Sequence, residues 1–238
     1  MSVLKLGVPS KGRLQEKTMD WFADHGIKLS RTGSDREYSG AVTGVDGVEL
    51  VMLSASEIPK ELKAGRIHLG VTGEDLIHEK LPLFEREAVN LQKLGFGHAD
   101  LIIAVPKGWI DVDCVEDLDA VCAQFRTNHG YRLRIATKYH NLVRGFLRAR
   151  GVADYQLVDS QGATEGVVKN LTAEAVADIT SSGETLRANH LKILSDGLIL
   201  QSQACVFGSY AADWSDDAKT ALAAMAAKTG WDITKLKG

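Results

Sequence analysis

The 238-residue sequence reads as an α/β protein of parallel layers folded into two lobes, and three observations carry that reading. Short apolar runs bounded by turn residues recur along the chain. Helical patterns lie between several of them, and no Pro/Gly/Ser linker, internal repeat or low-complexity tract divides the sequence. Two lobes without a linker must be joined by strands that pass from one to the other.

The strands are expected, in order, over Val3 to Val8, Val48 to Leu53, His68 to Thr72, Leu101 to Val105, Leu133 to Thr137, Tyr155 to Val158 and Val176 to Thr180. Each is a short apolar run, the length of a buried strand rather than of a helix. Helical spacing covers Leu14 to His25, Ile58 to Ala64, Val115 to Ala123 and Asn141 to Arg150, the last closed by Gly151. Two longer β-type stretches, Leu91 to Val105 and Leu191 to Gln201, are the expected crossings between lobes. A last strand lies near Val206-Phe207. Beyond it, Ser215-Asp-Asp, Ala-rich sequence, Lys228 and Gly230 form a complete helix signature. Ligands of open α/β units bind beyond the carboxyl ends of strands, so two facing lobes predict a site in a central cleft.

Composition narrows the function. At 45% hydrophobic residues the chain can bury a core, and 28 Lys and Arg against 31 Asp and Glu give a net charge of −3. That balance predicts no nucleic-acid partner and no membrane surface, so an anionic ligand has to be held locally. Cys114, Cys122 and Cys205 show no C-x-x-C spacing and read as buried, reduced thiols. The opening Met-Ser-Val-Leu-Lys runs straight into a strand, with no signal-type or membrane-spanning stretch, which predicts a cytoplasmic protein.

The richest segment is Asp178-Ile-Thr-Ser-Ser-Gly-Glu-Thr-Leu-Arg-Ala-Asn189, at the end of the strand over 175–179. A phosphate there would meet unpaired N–H groups, the start of a helix and the hydroxyls of Thr180, Ser181, Ser182 and Thr185. Gly183 admits close backbone approach, Glu184 opens the turn that follows, and Asp178 is placed to accept from sugar hydroxyls. The alternative is an ordinary polar capping turn. Three further loops follow strands. Pro9-Ser-Lys-Gly-Arg13 offers Lys11 and Arg13 to an anion, or is a solvated loop. Gly70-Val-Thr-Gly-Glu-Asp75 suits a ligand or a plain capped turn, and Arg134-Ile-Ala-Thr-Lys-Tyr139 places Thr137 and Lys138 at a strand end. P-loop, dinucleotide, zincin and nucleophile-elbow motifs are absent. His98, His129, His140 and His190 are scattered without ligand spacing, so no metal is expected from protein side chains.

In order along the chain, Pro9-Ser-Lys-Gly-Arg-Leu14, Ala55-Ser-Glu-Ile-Pro59, Leu69-Gly-Val-Thr-Gly-Glu-Asp75, Leu94-Gly-Phe-Gly97, Arg134-Ile-Ala-Thr-Lys-Tyr139 and Asp178 to Asn189 resemble the catalytic chain of ATP phosphoribosyltransferases, the first enzymes of histidine biosynthesis. The resemblance runs from residue 4 to about residue 203. It implies two α/β lobes with a central cleft, of the periplasmic-binding-protein type II kind. Lobe I would be residues 1–97 completed by 196–238, and lobe II residues 98–195. It further implies transfer of the 5-phosphoribosyl group of phosphoribosyl pyrophosphate to N1 of ATP, with pyrophosphate released.

By position, Arg13 and Arg36 would face the pyrophosphate. Lys11, Asp178, Thr180, Ser181, Ser182, Gly183, Glu184 and Thr185 would bind phosphoribosyl pyrophosphate, and Gly73, Asp75, Thr137, Lys138 and Glu165 would bind ATP. Mg²⁺ would be held mainly by substrate phosphates. With one terminal helix after the last strand, the chain resembles the family's short form, a homodimer within a hetero-oligomer completed by a histidyl-tRNA-synthetase-like regulatory subunit. Ser54 stands where the family often has arginine, and Val167-Val168 replaces its usual Ala-Pro. Two other readings stay open. One is a two-lobed binding or sensor module, against which the missing export signal and the hydroxyl loop speak. The other is a phosphoribosyltransferase for a free base, which usually carries two adjacent acids where Ala177 precedes Asp178 here.

Overall fold

β1 (Leu4–Pro9) is buried on both faces, as a central parallel strand must be. It belongs to the first of two units into which the chain divides, residues 1–97 with 203–238, the second being residues 98–202. The computed structural model describes residues 3–31, 39–160, 166, 168 and 172–237. After β1 come α1 (Gly12–Asp24), β2 (Lys28–Arg31), β3 (Ser39–Thr43), β4 (Val48–Leu53), α2 (Ile58–Lys63), β5 (Leu69–Gly73), α3 (Glu74–Lys80), α4 (Phe84–Glu87) and β6 (Ala88–Lys93). The second unit carries β7 (Ala99–Pro106), α5 (Val115–His129), β8 (Leu133–Thr137), α6 (His140–Ala149), β9 (Tyr155–Asp159), β10 (Ala175–Thr180), α7 (Glu184–Ala188) and β11 (Leu191–Ser202). The chain then returns to the first unit as β12 (Ala204–Ser209) and α8 (Asp216–Thr229).

The first unit holds a seven-stranded sheet in the order β2-β3-β4-β1-β5-β12-β6. β4, β1 and β5 run parallel, with Pro9 opposite Leu53 and Gly7 opposite Gly70, so their carboxyl ends emerge at one edge. Phe22 of α1 packs with Leu4, Leu6, Leu50 and Val71, and Leu222 and Met225 of α8 enter the same core. A fully buried Phe of this kind stabilises a fold by about 3–5 kcal/mol against truncation to Ala. The terminal helix therefore covers its own unit. A separate cluster joins Ile58 and Leu62 of α2, Ile77 of α3 and Phe207 of β12.

His68 ties the returning segment to the sheet. Its Nδ1 accepts from the Lys5 N–H at 3.0 Å, which leaves the hydrogen on Nε2 to donate to the Asp213 carbonyl at 2.9 Å. Its ring meets Trp214 edge-on at 5.0 Å. Gly65 lets the chain pass closely here: its φ is +66°, and a Cβ would run into the Ala211 backbone.

The second unit holds a five-stranded sheet in the order β11-β7-β10-β8-β9, with β8, β9 and β10 parallel and β7 and β11 antiparallel. Ala175, Val176 and Ala177 of β10 are fully buried at its centre. α5 is capped by Asp117, whose carboxylate accepts the Asp113 and Cys114 N–H groups. Those bonds, the Asp113 N–H first, hold its carboxyl below the ordinary aspartate range. The Val115 N–H goes to Asp196 of β11 at 2.8 Å.

The structure amends the sequence reading at the crossings. Leu91 to Val105 is not one strand: it divides between β6 and β7 around Gly95 and Gly97, both in the left-handed region. Leu191 to Gln201 stays within the second unit because β11 pairs with β7 as far as Ser202, so the chain returns at Gln203 rather than at 196. Neither sheet is purely parallel. The segments next to the crossings, β7, β11 and β12, run back against their neighbours. β2, β3, α3 and α4 lack a long apolar period that would mark them, and α5 extends past Ala123 through a mostly polar, mostly exposed stretch to His129. Among the described residues no helix is long and apolar enough to cross a membrane.

All three cysteines are free, and Cys114 is half-buried rather than buried. Burial pushes the Cys122 and Cys205 thiols up to about 12. At pH 8 a disulfide reagent such as Ellman's is expected to label Cys114 alone in the folded chain, and all three cysteines in guanidinium, as peptide mapping would read. Fast labelling of Cys122 or Cys205 in the folded chain would contradict this packing.

Candidate active site

β10 changes character within its length. Ala177 is fully buried, Asp178 is half-buried, and Ile179 is 43% exposed, so the strand leaves the core where the polar run begins. The chain turns back at Gly183, whose φ of +70° suits glycine, and Leu186 returns to the core beside Ile102 and Val176. Between these fixed ends the side chains bond their own backbone. Thr180 Oγ1 accepts the Gly183 N–H at 2.9 Å, and Ser182 Oγ accepts the Glu184 N–H at 3.3 Å. Ser181 Oγ donates to the His98 carbonyl at 3.1 Å, and Asp178 Oδ1 accepts the Ile179 N–H at 2.8 Å.

A hydroxyl that accepts from an N–H keeps its own hydrogen to donate. Thr180 and Ser182 therefore offer O–H donors to an anion. Asp178, Thr180, Ser181, Ser182, Thr185 and Leu186 line a cavity of about 270 Å³. The expected contribution of a helix start is smaller than the sequence suggested. α7 runs only from Glu184 to Ala188, and the Gly183 and Glu184 N–H groups are already taken by hydroxyls. Glu184 points the residue pattern into α7 and is exposed.

β8 lies beside β10 with Thr137 opposite Ala177, which brings the Thr137-Lys138 loop to the same sheet edge. Thr137 is fully buried, and its hydroxyl accepts the Tyr139 N–H at 2.9 Å, so it shapes the turn while Lys138 is exposed. Arg134 of the same motif is bound to Glu174, its Nη2 2.5 Å from Oε1, and pins β8 to the segment entering β10. That arginine is structural.

In the first unit, Lys11 and Arg13 are exposed at the start of α1, where no side chain caps the helix and Gly12 has a φ of +75°. Arg31 Nη2 donates to the Ser10 carbonyl at 2.7 Å and steadies this loop. Arg31 stands isolated in a short strand, where no sequence motif marks it. Gly73 ends β5 and caps α3 with no intervening loop, so Asp75 falls in the first helical turn and is only 6% exposed. Ser54, at the carboxyl end of β4, donates its N–H and hydroxyl to Glu57 at 3.0 and 2.6 Å. The hydroxyl bond, followed by the backbone bond, holds the Glu57 carboxyl below the ordinary range. A local turn thus stands at the position where the resemblance expects a cation. Arg36 and Glu165 lie outside the described residues.

The sequence model of the family described as "HisG: ATP phosphoribosyltransferase" matches residues 54–228. A curated ATP phosphoribosyltransferase of Cereibacter sphaeroides is 69% identical over 227 residues, 95% of this chain and 96% of that protein. The chain belongs to the ATP phosphoribosyltransferase family. It is a pentosyltransferase of the first step of histidine biosynthesis. Seven further curated relatives of the same description, 48–53% identical, are longer, and the chain spans 65–66% of their length. Among solved structures, the ATP phosphoribosyl transferase (HisG:HisZ) complex from Thermotoga maritima matches with a TM-score of 0.72 at 22% identity, over 98% of each chain. The periplasmic aliphatic sulphonate binding protein SsuA from Escherichia coli matches with a TM-score of 0.50 at 14% identity, over 100% of this chain and 77% of that one. Both likenesses concern the fold, which is the two-lobed α/β arrangement of periplasmic binding proteins. Within this ATP phosphoribosyltransferase, the hydroxyl loop after β10 combines a lined cavity with a polar donor set.

Gly183→Ala tests the turn. A left-handed Ala costs about 1–2 kcal/mol, so the unfolding free energy read from urea titration is expected to fall by that amount, and phosphoribosyl pyrophosphate affinity in calorimetry to fall with it. A substitution without effect on either would mean that the turn does not set the loop.

Proposed function

We propose that this chain is the catalytic chain of a short-form ATP phosphoribosyltransferase whose Asp178–Thr185 loop holds the ribose hydroxyls and 5-phosphate of phosphoribosyl pyrophosphate. The observation that carries the subsite is the cavity of about 270 Å³ lined by Asp178 and the hydroxyls of Thr180, Ser181, Ser182 and Thr185. The carboxylate takes sugar hydroxyls as donors, and the Thr180, Ser182 and Thr185 hydroxyls donate to the phosphate, while Ser181 spends its hydrogen on the His98 carbonyl. Gly183 and Glu184 supply the turn that presents them.

In the proposed reaction, N1 of adenine forms a bond to C1 while the C1–O bond to pyrophosphate breaks, with inversion and an oxocarbenium-like transition state. N1 already carries a lone pair, so the chain's share is to position two substrates and to neutralise the leaving group. Lys11, Arg13 and Arg36 take the pyrophosphate. Gly73, Asp75, Thr137, Lys138 and Glu165 are the residues assigned to ATP, of which Asp75 is buried, Thr137 is buried and shapes its turn by accepting the Tyr139 N–H, and Lys138 contributes charge. Asp178 and the hydroxyls around it are hard oxygen donors of the kind Mg²⁺ accepts alongside waters and phosphate oxygens. Bound chiefly through the substrate phosphates, that ion supplies charge neutralisation of pyrophosphate.

The short form is supported by the similarly long relative from Cereibacter sphaeroides, of which this chain covers 96%. A separate regulatory subunit, histidyl-tRNA-synthetase-like as the family resemblance implies, is supported by the Thermotoga maritima structure being a HisG:HisZ complex, and the reading places it on a homodimer of this chain within a hetero-oligomer. A cytoplasmic site of action is supported by the chain's relatives being enzymes of amino-acid biosynthesis.

Asp178→Ala and Thr185→Val are each expected to weaken phosphoribosyl pyrophosphate binding by about 1.5–3 kcal/mol while ATP binding changes little. Titration calorimetry on folded variants measures both, and undiminished phosphoribosyl pyrophosphate affinity in the two variants would sink the subsite. Arg13→Ala is expected to slow the chemical step by about 10²- to 10³-fold, because its guanidinium meets charge that grows as the C1–O bond breaks. Rapid-quench single turnovers separate that loss from weaker binding. A raised KM with an unchanged chemical rate would make Arg13 a ground-state contact instead.

A further inference from the structure

The same edge of the second sheet carries an imidazole–carboxylate pair that the site above does not use. His140 opens α6 and Asp159 closes β9, with Nε2 2.7 Å from Oδ1. An ionised carboxylate only accepts, so Nε2 carries the hydrogen and the neutral ring keeps a lone pair on Nδ1. Among the described residues the His140 ring makes no other hydrogen bond. Its side chain is 29% exposed and that of Asp159 83%, so the ring is part-shielded and still reachable.

Strand register fixes where the pair stands. Thr137 lies opposite Ala177 on one side and opposite Asp159 on the other, and its carbonyl accepts the Ser160 N–H at 3.2 Å. Neighbouring strands are about 4.8 Å apart, which sets the pair roughly 10 Å across the sheet from the hydroxyl loop. That is the reach from a bound 5-phosphate, through the ribose, to a purine being joined at C1.

We infer that His140 is a catalytic base that accepts the N6–H proton of adenine as N1 is alkylated, and that Asp159 is its positioning residue. The inference rests on the placing of ATP beside Thr137 and Lys138 proposed above. N1 needs no base in order to attack. Once its lone pair has formed the N1–C1 bond and the C1–O pair has left with pyrophosphate, however, the N1–C6–N6 unit is a cationic amidinium. A cationic purine leaves readily, so the reverse reaction threatens. Transfer of the N6–H proton to Nδ1 leaves a neutral imine, with Nε2–H still on Asp159, and the imidazolium returns the proton to solvent. Among the described residues the charged group that meets the His140 ring is Asp159 on β9, and Lys138 and Tyr139 in the preceding loop and Arg144 one turn along α6 are its titratable neighbours in sequence.

The test combines a binding readout with a rate. ATP is titrated into the full chain labelled with ¹⁵N-histidine, His140 being assigned by comparison with H140Q. Single-turnover product formation is then followed against pH in wild type, H140Q, H140N and D159N, in the catalytically active assembly. The expected result is that ATP shifts the His140 imidazole resonances. H140Q and H140N should keep ATP affinity within about threefold while losing about 10²-fold in rate and the acid limb of the pH–rate profile. D159N should fall between them and wild type at an unchanged urea midpoint. If the His140 resonances do not respond to ATP, the placing of ATP at this edge falls, and the inference with it. If they respond but H140Q and H140N keep the wild-type rate and profile, the ATP site stands and the base role is overturned.

Discussion

The shape of the hydroxyl loop hangs on the bond from the Gly183 N–H to Thr180 Oγ1. Glycine in the left-handed region lets the chain reverse there, and the threonine oxygen satisfies an amide that would otherwise compete for ligand. The same bond leaves the threonine hydrogen free to donate. β10 on one side and the buried Leu186 on the other hold the ends of the turn, so a polar loop is clamped by apolar packing. Binding a phosphate in such a loop orders little that is not already ordered, which is how a neutral set of hydroxyls competes with water for an anion.

Each unit presents its polar residues in the same manner. In the first, β4, β1 and β5 end together at Ser54, Ser10 and Gly73, and in the second, β10, β8 and β9 end together near Asp178, Thr137 and Asp159. Parallel neighbours bring their carboxyl ends to one edge, so residues far apart in sequence become neighbours without a dedicated scaffold. The net charge of −3 makes this local gathering necessary, since no overall field attracts phosphates.

The hydroxyl loop and the lysine–arginine pair after β1 were legible because each carries its chemistry in one contiguous run. The parallel strands were legible because burial on both faces leaves an unbroken apolar signature. What escaped were the short elements β2, β3, α3 and α4, whose residues mix polar and apolar types, and the places where the chain passes between units. β11 reads like a crossing because it is long, yet pairing with β7 keeps it in one unit as far as Ser202. A strand-end position says nothing about which way its side chain turns: Asp75 and Thr137 are buried, and Arg134, in the same motif as Thr137, is bound to Glu174.

By itself the sequence determined the α/β class, the family and the residue types that meet an anion, since these depend on local pattern and on contiguous motifs. Tertiary structure alone decided which of those residues remain available and which are spent on the fold. It also decided that His140 and Asp159 meet, although one opens a helix and the other ends a strand. Contact across a sheet depends on strand order and register, which arise from the packing of the whole unit and leave no mark at either residue.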